Sequence, residues 1–176
     1  LLNQIPFIDF LYGNQVKVIP VIVGKITLQQ SKEITTKLKP YLGPNTLIVC
    51  STDFNHVNGR FQHKIFAPNI QSKITNADSL VVKLLTDNKD SDFIKNIRTN
   101  NLSPCGIYAL QLLKSIHLAE NYKRCNVSCY YKSSNEFKSS KLFKELFKEI
   151  KLTTEQTSVS YVGLLFTNDQ YLSNSD

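Results

Sequence analysis

The chain has 176 residues, enough for one domain with a sizeable hydrophobic core. Its apolar fraction of 41% and charged fraction of 20% are those of a globular protein and exclude an intrinsically disordered one. The net charge of +7 comes from 21 basic and 14 acidic residues, yet the lysines are spread over presumed helix surfaces, so nucleic-acid binding is not expected.

The first strong signal is Val16-Lys17-Val18-Ile19-Pro20-Val21-Ile22-Val23-Gly24, a buried-strand pattern ended by glycine. A helix follows over about Gln29–Tyr41, with Ile34, Leu38 and Leu42 at helical spacing, and Gly43-Pro44-Asn45 stops it. Thr46–Cys50 is a second short apolar strand. Strand, helix, strand in that order predicts a parallel pair in an α/β sheet. Residues 62–76 read as an irregular loop, after which Asp78 caps a helix through Leu85. Asp90–Arg98 is a shorter helix. Ser103 reads as the N-cap and Pro104 as the first residue of a longer helix reaching His117. Cys125–Tyr131 is a strand, and Lys132–Ser140 is polar. Lys141–Ile150 is an amphipathic helix whose apolar face is expected to pack on the domain, the alternative being a membrane surface. Ser158–Phe166 is the last strand, before a tail of disordered composition. With no internal repeat and no boundary, the expectation is a single α/β domain over 1–176, its central sheet parallel or mixed and flanked by helices.

No apolar run approaches the ~20 residues of a membrane-spanning helix, and the start carries no basic signal-peptide segment. Methionine is absent, so the chain reads as a fragment. The four cysteines, Cys50, Cys105, Cys125 and Cys129, show no CxxC spacing and read as reduced thiols in a cytoplasmic setting.

Three residues stand out chemically. Asp53 and His56 follow the second strand, at the strand-end edge where α/β sheets bind ligands. A carboxylate and an imidazole at this spacing can share one metal ion or form an acid–base pair; the alternative is a polar turn. Cys105 falls in the first turn expected for the helix after Ser103, where the positive end of the helix favours a thiolate. Its alternative is close packing beside Gly106. Cys50 reads as core, Cys125 and Cys129 as packing residues, and His63 as a surface residue. His117 lies near a helix end that suits a cationic ring. Arg60 is placed to bind an anion or to pair with Asp53. Glycine-rich phosphate loops, G-x-S-x-G and H-E-x-x-H are absent from the sequence.

These pieces in order resemble the Memo family (mediator of ErbB2-driven cell motility). The matching stretches are Asn3-Gln4-Ile5-Pro6-Phe7, Val18–Gly24, Ser51-Thr52-Asp53-Phe54-Asn55-His56, Cys105-Gly106 and Thr157-Ser158-Val159-Ser160-Tyr161-Val162-Gly163. The resemblance implies a fold similar to the class III extradiol dioxygenases and a cytoplasmic, signalling-related protein, of which this chain is the C-terminal ~60%. It further implies an iron or copper pocket that includes Cys105 as a ligand, with Asp53 and His56 beside it. Two family histidines would lie upstream of Leu1, and Gln4 stands where family members carry histidine in an E-x-H-L-P segment. The implied functions are a redox or dioxygenase-like metal protein or, alternatively, an adaptor that binds phosphopeptides or signalling proteins through the same cleft.

Overall fold

The computed structural model describes residues 4–57, 70–122, 124–133 and 158–167. Five α-helices, two short 3-10 helices (Gly13–Gln15 and Lys39–Tyr41) and one small antiparallel sheet make up the regular structure of these residues. Helix α1 covers Ile5–Tyr12, with Pro6 in its first turn and Gly13 at its end at a positive φ of 52° that favours glycine. Helix α2, Leu28–Leu38, starts at a capping box in which Thr27 and Gln30 satisfy each other's backbone N–H. Its small residues Ser31 and Thr35 are buried, and Ser31 Oγ lies 2.8 Å from Ser115 Oγ. That bond joins α2 to α5, Ile107–Glu120.

Helix α3 runs over Ile70–Thr86, so Asp78 is not its cap: the carboxylate lies in the middle of the helix, 2% exposed. The expected irregular loop is therefore helical from Ile70 onwards, and residues 62–69 lie outside the described residues. Ile74, Asp78, Val81 and Leu85 form its buried stripe. An aspartate in an otherwise apolar stripe breaks the period that would have revealed the first turns. Helix α4, Phe93–Thr99, is capped by Asp92, whose Oδ1 accepts from the Lys95 N–H at 3.0 Å.

Strands β1 (His56–Val57), β2 (Arg124–Lys132) and β3 (Ser158–Thr167) lie in the order β1-β3-β2, both pairings antiparallel. The core fills between this sheet and the helices, around Phe54, Val81, Leu85, Phe93, Ile97 and Leu110. Full burial of such a side chain contributes about 2 kcal/mol. The amphipathic segment Lys141–Ile150, His63, Arg60 and the tail after Thr167 lie outside the described residues.

The chain is α/β in the general sense, but the expected parallel pair does not form. Residues 16–24 and 46–50 run without a ladder, and Ile19 and Ile22 are 85% and 86% exposed. A strand is held by hydrogen bonds to a neighbour and by one covered face. Among the described residues neither segment has a paired neighbour, so β-propensity alone leaves both extended and unpaired.

Candidate metal centre

Asp53 and His56 sit where the chain enters the sheet. Ser160 of β3 donates its N–H to the Asn55 carbonyl at 3.1 Å and accepts the Phe54 N–H at 2.9 Å. Two residues thus face one, which is a β-bulge. Its effect shows in the burial, because the neighbours Phe54 and Asn55 are both buried, at 2% and 0% exposure. On a regular strand, residues three apart point to opposite faces. The extra residue cancels that phase difference and brings Asp53 and His56 to the same side. His56 Nε2 then lies 3.4 Å from Asp53 Oδ2.

Cys105 arrives from the segment before α5. The helix begins at Ile107, with Gly106 as its N-cap, so Cys105 precedes the first turn instead of lying in it. Ser103 is not the cap: its Oγ accepts from the His56 N–H at 3.1 Å and donates to the His56 carbonyl at 3.0 Å. This side chain thereby holds the segments that carry His56 and Cys105 side by side. Cys105 N–H donates to the Asp53 carbonyl, and the Asp53 N–H donates to Cys105 Sγ, both at 3.3 Å. Thr52 Oγ1 lies 3.4 Å from the same sulfur and accepts the Gly106 N–H at 2.8 Å. A Cβ on Gly106 would fall 2.5 Å from Thr52 Oγ1 and 2.7 Å from Thr52 Cβ, so only glycine fits beside the cysteine. Gln4, at the start of the chain's first helix, reaches Ser51 Oγ with its Nε2 at 3.0 Å.

One carboxylate oxygen, one imidazole nitrogen and one sulfur, from Asp53, His56 and Cys105, all lie within 4.8 Å of one another. A tetrahedral ion bonded at about 2.0–2.3 Å spaces its ligand atoms about 3.6 Å apart, so the group needs a contraction of about 1 Å to close on one. The donor set fits a transition metal and could hold one. His56 is the more covered of the pair, and Cys105 is exposed, which leaves one side open to solvent. A cleft of ≈ 770 Å³ lies between the segment around Thr46–Cys50 and Val162–Thr167; Thr52 lines it, but Asp53, His56 and Cys105 do not.

Behind the three residues lies a buried polar cluster that the sequence did not announce. Asp78 Oδ1 accepts from Asn55 Nδ2 at 2.7 Å and from the Asn55 N–H at 3.3 Å, and Asp78 Oδ2 accepts from Tyr130 Oη at 2.7 Å. Burial first, and the Asp78 charge with it, push the Tyr130 phenol up to about 12. Asn55 Oδ1 in turn accepts the Ser103 N–H at 2.7 Å. Tyr161, stacked on Tyr131 at 4.8 Å, also faces this region: burial, then the charges of Asp53, Tyr131 and Cys105, raise its phenol. The signal that was available for these residues is the polar interruption of apolar patterns, Asn55 after Phe54 and Asp78 within a helical stripe.

The other titratable residues take no part in this group. Cys50 is half-buried, and burial, then the neighbouring Cys105, push its thiol up to about 11. Cys125 is half-buried and Cys129 exposed, either side of an irregularity in the β2–β3 register. His117 overturns the expectation of a cationic helix-end ring. It is 4% exposed, with its ring 5.0 Å from Phe166, and burial, then Lys114, lower its pKa.

The sequence pattern of the Memo-like protein family matches residues 2–143. MEMO1 family proteins of Methanopyrus kandleri and Aeropyrum pernix are 26% and 27% identical, over 59% and 58% of this chain and 34% of each relative. A MEMO1 family protein of Schizosaccharomyces pombe is 24% identical over 69% of this chain and 47% of its own length. The chain thus spans about a third to a half of the curated relatives it matches. The family match over residues 2–143 takes in Gln4, the bulge, Cys105 and all of β2, and on that coverage the chain belongs to the Memo-like family.

Proposed function

We propose that Asp53, His56 and Cys105 bind one redox-active metal ion, iron or copper, in a Memo-like metal centre. The convergence of three different donor atoms within 4.8 Å, from two separate segments, supports this reading. Thiolate suits copper(I), carboxylate suits iron(II), and imidazole serves both. A bound ion would supply Lewis-acid and one-electron chemistry at the open side, and a dioxygenase-like oxidation is the reaction class that such a centre allows. The chain's own residues do the positioning: Asp53 orients the His56 ring, while Thr52 and the Asp53 N–H hold the sulfur. Anaerobic metal analysis of the chain, beside a Cys105→Ser variant, tests the reading. Near-stoichiometric iron or copper, reduced at least tenfold in occupancy by the substitution, is the expected result. No metal under reducing conditions overturns it. The net charge of +7 favours one other reading, a non-catalytic adaptor taking a phosphorylated peptide through the same cleft. Tight peptide binding by metal-free protein would favour that one.

A further inference from the structure

We propose that Asp78 is the positioning residue of the candidate centre, and that it acts by holding the β-bulge in place. The inference rests on the metal-binding reading for its consequence and on hydrogen bonding for its cause. A bulge leaves one backbone N–H without a ladder partner, and a buried N–H left unpaired is costly. Here the N–H belongs to Asn55, and Asp78 Oδ1 takes it together with the Asn55 side-chain amide. One carboxylate oxygen therefore serves both hydrogen-bond donors of the bulge residue. The other oxygen is occupied by Tyr130 Oη from β2, which ties α3 to the sheet.

The same Asn55 side chain passes the constraint to the second ligand-bearing segment. Its Oδ1 accepts the Ser103 N–H at 2.7 Å, two residues before Cys105. Ser103 Oγ then bridges both backbone groups of His56. From Asp78 a continuous chain of bonds thus reaches His56 and the approach to Cys105, yet Asp78 is not in the three-residue group itself. Asp78 and Asn55 are 2% and 0% exposed, so water offers little substitute for a lost bond. Lys132 adds a cation on the same side, its Nζ donating to Thr75 Oγ1 at 3.0 Å and to the Gln71 carbonyl at 3.2 Å. A buried carboxylate with this many donors can fix a geometry that an apolar contact would leave adjustable.

The test compares three variants of the full chain. Asp78→Ala removes the acceptor, Asp78→Asn keeps the shape and one acceptor oxygen, and Ile97→Ala weakens the same core away from the network. Each is read by cobalt(II) titration, followed through thiolate-to-cobalt absorption, and by amide hydrogen exchange. Asp78→Ala is expected to raise the cobalt dissociation constant about 10–100-fold, the usual range for loss of a group that orients metal ligands. Exchange should quicken at Asn55, His56 and Ser103 ahead of the amides inside α5. Asp78→Asn should lie between Asp78→Ala and the parent chain. Ile97→Ala should quicken exchange broadly and leave cobalt affinity within about twofold, since its side chain packs in the shared core but makes none of the hydrogen bonds that reach Asn55, His56 or Ser103.

The proposal is overturned if Asp78→Ala binds cobalt like the parent, or if its effects match those of Ile97→Ala. If Asp78→Ala does not fold, Asp78→Asn with parent-like affinity and parent-like exchange at Asn55 overturns it equally. If the parent chain binds neither cobalt(II) nor, under anaerobic reducing conditions, iron(II) or copper(I), the metal reading fails by itself. Selective exchange at Asn55 and Ser103 then still decides whether Asp78 holds the bulge.

Discussion

Gly106 shows how little room surrounds the sulfur of Cys105. Its N–H is bound by Thr52 Oγ1, and a methyl group there would meet that oxygen and the Thr52 Cβ well inside contact distance. The Thr52 Cβ is not a flexible tip, so Gly106→Ala must shift either the extended segment or the start of α5. Overpacking of this kind costs about 1–3 kcal/mol, which urea unfolding of the variant would measure. Because Thr52 also touches Cys105 Sγ, the same substitution should weaken metal binding more than Gly43→Ala, where the added methyl meets open space. Equal metal affinity in the two variants would show that Thr52 does not position the sulfur. At this scale the sequence was informative about residue type: Asp53, His56 and Cys105 could be singled out before any contact was known. It was silent about Asn55 and Asp78, whose value comes only from meeting each other across 23 positions of chain.

Elements were legible where one period ran unbroken. Strands β2 and β3 begin and end within a residue of their expected limits, because alternation and flanking polar residues both mark them. Helix α3 was half missed since its buried stripe contains Asp78, and α1 was missed although Pro6 and Gly13 bracket it. The two extended segments show the opposite error, strong propensity with no ladder to realise it. A prediction at this scale concerns the contact between α5 and β3. His117 packs against Phe166, and its folded pKa lies below the ordinary 6.5, chiefly through burial. The unfolded chain therefore binds a proton here first as pH falls. The stability that rests on a neutral His117 is complete above pH 6.5 and is lost as pH drops from there through the lower folded value. His117→Phe should flatten that part of the stability–pH curve, read by thermal unfolding at a series of pH values. An unchanged slope between pH 7 and about 5 would mean other groups carry it.

At the scale of the whole molecule, apolar surface is unevenly distributed. Phe7, Phe10 and Leu11 on α1 are 67%, 88% and 68% exposed, and Ile19 and Ile22 follow at 85% and 86%. Among the described residues the core lies at the opposite part of the chain, in α3, α4, α5 and the sheet. Surfaces of this composition associate with themselves or with partners. The chain should therefore show concentration-dependent self-association in sedimentation velocity, and a Phe10→Ser, Ile19→Lys double substitution should reduce it without lowering the unfolding midpoint. A monomeric parent chain at high concentration would contradict this. No helix among the described residues is long and apolar enough to cross a membrane.

The bulge at Phe54–Asn55 finally has a consequence for counting. Two side chains on one strand meet only when their separation is even, yet the separation of Asp53 and His56 is odd. One supernumerary residue corrects the parity, so the spacing D-x-x-H encodes a defect in the ladder as well as a pair of candidate ligands. Searches for paired ligands on strands that admit only even separations would pass over this candidate pair, and over any other whose strand carries the same correction.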